Sequence, residues 1–130
     1  MANNAQSSRP LSPHLQIWRF TVTMAASITH RGTGIANAGG TLLIGLWLVA
    51  LAIGGEFYAS VAAFFTSPLG VIFCIGYVWS LSFHLLNGVR HLYWDSGRGL
   101  APETAKKTAW AVYIGSAICA FIFISLAGGQ

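Results

Sequence analysis

Three residues between positions 83 and 97 have types and a spacing that could hold a haem or a similar flat cofactor. His84 is followed by Gly88 and then by His91, and these steps of four and three residues place all three on one face of a helix. His84 lies within an apolar stretch, where a polar side chain is costly unless it meets a partner. A neutral imidazole can ligate haem iron, whereas the alternative is a histidine hydrogen-bonded to another helix.

Gly88 and His91 extend this interpretation. Because His91 is about 10.5 Å from His84 along a helix axis, the two imidazoles cannot bind the same iron. His91 is instead at a suitable height to meet acidic edge groups of a macrocycle whose iron sits near His84. The missing side chain of Gly88 would leave room for such a ring, although glycine in membrane helices also serves close packing.

A second group of polar residues, Ser27, His30 and Arg31, lies where the chain enters its first apolar stretch. A helix that continues through Thr23 would place them on one face. Arg31 could simply anchor the chain at the membrane edge while Ser27 bonds back to a carbonyl. Because three polar groups converge, a binding site is an equally good interpretation.

The elements that must position these residues are membrane-spanning helices. The chain has 130 residues, of which 55% are hydrophobic and 8% charged, too few charges to cover a water-facing surface. Long uncharged intervals supply the roughly 20 apolar residues that a helix needs to cross a bilayer. We predict an all-α membrane protein, a single membrane-anchor domain over residues 1–130, with a short interfacial N-terminal segment and three spans. The spans lie near 34–53, 69–90 and 108–126.

The basic residues predict the orientation of the chain. All seven Lys and Arg residues lie in segments that the predicted spans place on the same side of the membrane. The positive-inside rule assigns that side to the cytoplasm. The N-terminus is then cytoplasmic and the C-terminus outside. The net charge of +4 needs no nucleic-acid partner, and this basic side could dock an acidic protein or anionic lipid. The seven are Arg9, Arg19, Arg31, Arg90, Arg98, Lys106 and Lys107.

Two motifs carry a specific family resemblance. The sequence RPLSPHLQIW followed by SITHRGTG, and then HLLNGVRHLYWD, resembles the paired signatures of the succinate dehydrogenase cytochrome b subunit family. The resemblance covers nearly the whole chain and implies a second small membrane-anchor subunit as partner. It also implies an iron–sulfur subunit and a flavoprotein subunit, with ubiquinone bound where the anchor meets the iron–sulfur subunit.

The resemblance also implies roles for individual residues. His84 would be the axial ligand to the iron of haem b, with the opposite ligand supplied by the partner anchor. Ser27 and Arg31 would contact the quinone, and His30, Arg31 and His91 would lie near the haem propionates. The sequence departs from the family pattern at Gly32 and Thr33, which replace a bulkier pair.

The chain lacks flavin and iron–sulfur motifs, so we expect no catalytic residue for succinate oxidation in this chain alone. Two alternatives stay open: a haem-free structural anchor, and the anchor of a quinol:fumarate reductase. A transporter is disfavoured because the acidic residues lie outside the predicted spans. The motif that begins at Arg9 leaves little room for a presequence before it, so we expect a multi-pass protein of the bacterial cytoplasmic membrane. The acidic residues are Glu56, Asp95 and Glu103.

Overall fold

A computed structural model describes residues 18–128, and this part of the chain forms four helices. They are α1 (Val22–Ile53), α2 (Gly55–Thr66), α3 (Pro68–Asp95) and α4 (Pro102–Gly128). Within the described range there is no strand, so the predicted all-α class is confirmed. The motif around Arg9 lies outside the described residues.

Three of the four helices are long and apolar enough to cross a membrane: Val22–Ile53, Pro68–Asp95 and Pro102–Ala127. This confirms the predicted number of spans. Each predicted span lies inside one of these helices, and each helix is longer than the span. At 1.5 Å per residue the 32 residues of α1 reach about 48 Å, well beyond the roughly 30 Å of hydrocarbon. The extra turns of α1 carry Ser27 and His30.

Helix α2 lies between the first two predicted spans, where no helix is predicted from the sequence. Gly54 and Gly55 both adopt positive φ angles, which lets the chain turn sharply out of α1. The 12 residues that follow form a helix of about 18 Å, too short to span a bilayer. Ser67 caps the next helix, since its hydroxyl accepts a hydrogen bond from the Gly70 amide at 3.2 Å.

Small residues occupy the helix contacts, and large apolar residues face outward. Ala26 and Ala50 are fully buried, whereas Ile35 and Leu42 are 78% and 77% exposed. At Gly40 an added Cβ would collide with the Tyr77 ring, so α1 and α3 approach as closely as they do because this residue is glycine. Such a pattern is typical of helices whose outer surface meets lipid.

Polar side chains also join the spans. The Ser80 hydroxyl donates to Asn37 Oδ1 at 2.7 Å and links α3 to α1. Thr29 and Tyr113 hydroxyls lie 2.8 Å apart and link α1 to α4. Because lipid offers no competing partners, these bonds help to fix the rotation of each helix about its axis.

Candidate functional site

The three membrane histidines form one stacked group, here called the histidine column. The His30 ring from α1 lies between two rings of α3. Its centroid is 4.0 Å from that of His84 and 5.0 Å from that of His91, with interplanar angles of 14° and 22°. The shared face of His84 and His91 was predicted from their spacing. The insertion of His30 between them was not, since it depends on how α1 and α3 are aligned.

His84 is held by the backbone of α1. Its Nδ1 lies 3.2 Å from the carbonyl oxygen of His30. A carbonyl can only accept a hydrogen bond, so the proton of a neutral His84 belongs on Nδ1. The lone pair then resides on Nε2, the nitrogen available to a metal. In metal-binding histidines, the ring nitrogen that does not bind the metal usually donates a hydrogen bond to a group such as a carbonyl.

The hydroxyl of Thr33 is the other polar group beside His84 Nδ1. Thr33 Oγ1 lies 3.2 Å from His84 Nδ1 and donates to the His30 carbonyl at 3.0 Å. Thr33 is buried, so these bonds are shielded from water. No local pattern in the sequence predicts this contact, because Thr33 and His84 belong to different helices.

The face around His84 has room for a flat group. A Cβ added at Gly88 would meet no atom within 4 Å among the described residues, whereas one at Gly34 would lie 3.2 Å from the His84 ring. Glycine at position 34 therefore lets the α1 backbone come close to the imidazole. Glycine at position 88 leaves open space one turn from His84. Both features suit an axial ligand beside a planar macrocycle.

His30 carries the clearest sign of a missing partner. Its Nδ1 is buried and has no hydrogen-bond partner within residues 18–128. A buried polar nitrogen without a partner costs roughly 1–3 kcal/mol. His91, by contrast, is exposed and has its Nδ1 2.7 Å from the Asn87 carbonyl oxygen. The exposed side chains of Arg31 and His91 lie near His30, so basic groups that could hold the propionates of a haem are present on this side.

Ser27 and Arg31 form a pair one turn apart on α1. The Arg31 guanidinium donates to the Ser27 hydroxyl at 3.4 Å, and its side chain is exposed. Within the described residues Arg31 forms no ion pair. The predicted clustering of Ser27, His30 and Arg31 therefore divides into two parts. His30 belongs to the histidine column, whereas Ser27 and Arg31 present a hydroxyl and a guanidinium beside it.

Arg90 has a role that the sequence did not reveal. In the sequence Arg90 is one of seven basic residues, yet its side chain is 5% exposed and bonds to residues of two helices. Its Nε donates to the Thr108 hydroxyl and an Nη to the Ala105 carbonyl, each at 3.0 Å, and both acceptors belong to α4. The other Nη lies 3.4 Å from Asn87 Oδ1, and the guanidinium lies 3.9 Å above the Trp94 ring. Arg90 therefore fastens α4 to α3 at the level of His91.

The larger cavities are apolar grooves that are not lined by the histidine column. One of about 580 Å³ lies between α3 and α4. The Ser82 hydroxyl on its wall already donates to the Val78 carbonyl at 2.8 Å, so it is not free to orient a quinone head group. The groove suits hydrocarbon chains. It is lined by Val78, Leu81, Ser82, Leu85, Phe123 and Ala127.

Comparison with known proteins agrees with this geometry. Residues 5–123 match the model of the succinate dehydrogenase/fumarate reductase transmembrane subunit family. The chain is 41% identical over 122 residues to the succinate dehydrogenase cytochrome b556 subunit of Paracoccus denitrificans, covering 94% of both chains. It is 45% identical to the mitochondrial cytochrome b560 subunit of Mus musculus, covering 75% of this chain and 59% of that protein.

A third relative, the mitochondrial cytochrome b560 subunit of Sus scrofa, is 46% identical, again over 75% of this chain and 59% of the relative. The chain thus spans about three fifths of these mammalian proteins and nearly the full length of the bacterial one. The matched range begins before the first span, ends within the third, and contains the positions of the histidine column. The chain belongs to the family of succinate dehydrogenase/fumarate reductase transmembrane subunits.

Proposed function

We propose that this chain is the membrane-anchor and haem b-binding subunit of a succinate:ubiquinone oxidoreductase. In this role it contributes to the ubiquinone-reduction site and helps to pass electrons from the iron–sulfur subunit to quinone. The observation that carries the proposal is the environment of His84. Its Nδ1 faces the His30 carbonyl at 3.2 Å, which directs the lone pair of Nε2 away from α1.

Haem b would supply a one-electron carrier within the membrane. His84 would hold the haem iron through Nε2, and the second small membrane-anchor subunit would supply the other protein ligand. His30, Arg31 and His91 would hold the propionates.

Ser27 and Arg31 bind the quinone. A quinone carbonyl that gains electrons becomes more negative, and a hydroxyl and a guanidinium placed beside it stabilise that charge. Arg31 is exposed in the isolated chain. Its exposed guanidinium suits a pocket that is closed by the iron–sulfur subunit and the second anchor.

The charge distribution supports the orientation, and the family resemblance supports the partners. The basic side of the chain faces the cytoplasm, where the iron–sulfur subunit docks and carries the flavoprotein subunit. The outer apolar surface contacts lipid and the second anchor. We place the protein in the bacterial cytoplasmic membrane as a single multi-pass domain.

The matched family also contains fumarate reductase subunits, so an anchor of a quinol:fumarate reductase is a second candidate. The residues of this chain serve either direction, because the same donors bind quinone and quinol. A haem-free structural anchor is the other alternative, and the haem content of the purified complex distinguishes it from the proposed function.

The test is purification of the native complex through a tag on this chain. We expect four subunits, bound flavin, a b-type haem that succinate reduces, and succinate-driven ubiquinone reduction faster than quinol-driven fumarate reduction. A complex without haem would leave the structural anchor. A faster reverse reaction would favour the fumarate reductase.

A further inference from the structure

The hydroxyl of Thr33 lies against the nitrogen of His84 that does not face the iron. We propose that Thr33 is a positioning residue that lowers the reduction potential of haem b by accepting a hydrogen bond from the axial histidine. This inference rests on the proposed function. It concerns a residue that never touches the haem and acts only through His84.

The donors and acceptors around His84 Nδ1 can be assigned from geometry. A threonine hydroxyl has one proton, and here it is directed to the His30 carbonyl at 3.0 Å. Its lone pairs stay free to accept. Thr33 Oγ1 and the His30 carbonyl oxygen are each 3.2 Å from His84 Nδ1. One N–H therefore faces two acceptors, and the hydroxyl is itself polarised by the carbonyl that it bonds.

Burial makes this arrangement effective. Thr33 is 5% exposed, so water does not compete for the hydroxyl. Hydrogen bonds are electrostatically stronger in such surroundings than at a wet surface. The neighbouring Gly34 lets the α1 backbone approach the imidazole, since even an added Cβ would lie 3.2 Å from its ring. The ring is thus held against both acceptors.

The consequence for an iron ligand has a definite sign. Acceptors on the distal N–H make an imidazole more basic, and a more basic ligand favours the more positively charged ferric ion. Removal of one of two acceptors should shift the equilibrium toward ferrous iron. The reduction potential should then rise.

Thr33→Val tests this, because it removes the hydroxyl and keeps a branched side chain of similar size. Thr41→Val is the matched control. Thr41 lies on the same helix, and its hydroxyl bonds the Asn37 carbonyl at 2.8 Å and lies 3.2 Å from the Tyr77 hydroxyl. It is eight residues from Thr33, about 12 Å along α1. Thr33→Ser restores the hydroxyl.

The measurement is an optical redox titration of the purified four-subunit complex, with electron paramagnetic resonance of the ferric haem. At a fixed ambient potential we expect the ferrous-to-ferric ratio of Thr33→Val to rise about threefold. At about 59 mV per tenfold change for one electron, this is about 30 mV. Thr33→Ser and Thr41→Val should titrate like the wild type, and only Thr33→Val should change the ferric g-values.

Thr33→Cys keeps the test decisive if Thr33→Val assembles poorly. Its thiol is a weaker acceptor of similar size, so the potential should lie above that of the wild type. A wild-type potential in Thr33→Val or Thr33→Cys would overturn the inference while leaving haem binding intact. A wild-type complex without haem would overturn the proposed function, and this inference with it.

Discussion

Hydrogen bonds to the ring nitrogens distinguish the histidines of the column. Nδ1 of His84 faces a carbonyl of α1, and Nδ1 of His91 faces a carbonyl of its own helix, whereas Nδ1 of His30 is buried without a partner among the described residues. His84 is the one that a neighbouring helix orients. It is therefore the residue best prepared to hold a metal in a fixed direction.

Part of this could be predicted from the sequence. Helical spacing alone places His84, Gly88 and His91 on one face, because all three belong to one helix. The contact of His84 with Thr33 could not be predicted, since it depends on the alignment of α1 against α3. That alignment is set by contacts such as Gly40 against Tyr77, which no local pattern reveals.

Arg31 should matter for quinone reduction. Because a hydrogen bond to a charged group is worth about 1.5–3 kcal/mol, Arg31→Gln should lower kcat/KM for ubiquinone about tenfold to a hundredfold. Succinate oxidation with an artificial acceptor that takes electrons from the flavoprotein should not change. Steady-state kinetics with both acceptors provide the check. Arg98→Gln is the control, since Arg98 is also exposed and lies on the basic side. Equal kcat/KM values in the two variants would contradict the role of Arg31.

At the scale of the helices, the length of α1 connects the two halves of the site. The sequence predicted a span from residue 34, yet α1 begins at Val22. Thr21 caps this start, since its hydroxyl accepts from the Met24 amide at 3.4 Å. The additional turns are polar enough that hydropathy alone does not include them in a span. They place Ser27, His30 and Arg31 on one continuous helix with Thr33.

Helix α2 shows a different limit of sequence interpretation. The interval 54–68 is flanked by glycines and a proline, which favours a loop, but its centre is apolar and rich in alanine and phenylalanine. The Phe65 and Phe73 rings lie 6.4 Å apart, so this short helix packs on α3. A tertiary contact of this kind stabilises a helix that would be marginal in isolation.

Arg90 should stabilise the junction of α3 and α4. Arg90→Lys keeps the charge, but a lysine cannot reach all three acceptors that the guanidinium fork contacts, nor stack equally well on Trp94. Loss of two hydrogen bonds at about 0.5–1.5 kcal/mol each should destabilise the fold by about 1–3 kcal/mol.

Thermal unfolding of the purified complex, followed by tryptophan fluorescence, measures this effect. Arg98→Lys serves as the matched control, because Arg98 is exposed. We expect a lower melting temperature for Arg90→Lys than for Arg98→Lys. If the two variants melt together, the α3–α4 junction does not depend on the guanidinium.

At the scale of the whole molecule, the long uncharged stretches of the sequence were sufficient to predict three spans, because a helix that crosses lipid needs an apolar stretch of this kind. The functional assembly is less visible from one chain. In the proposed function His84 would supply one ligand of the haem iron, and the Ser27–Arg31 pair would form one side of the quinone site. Both sites would be completed by partner subunits, so this chain of 130 residues would not have to enclose them.

Orientation in the membrane is a prediction at this scale. Cys74 and Cys119 are first replaced by alanine. Ala101→Cys and Ser60→Cys are then introduced one at a time, which should place a single thiol on the cytoplasmic side and on the outer side, respectively. A membrane-impermeant maleimide should label Ala101→Cys only in inverted vesicles and Ser60→Cys only in right-side-out vesicles. The reverse labelling would contradict a cytoplasmic N-terminus and would place the basic residues outside.

The most direct test of the account is the haem content of the purified complex, expressed per flavin, in His84→Ala and His91→Ala. Reduced-minus-oxidised spectra should show a b-type haem in the wild type. His84→Ala should lose that signal or change its ligation, because the iron loses an axial ligand. His91→Ala should keep the haem, since His91 only helps to hold the propionates. An unchanged spectrum in His84→Ala would show that another residue binds the iron and would contradict the assignment of the site.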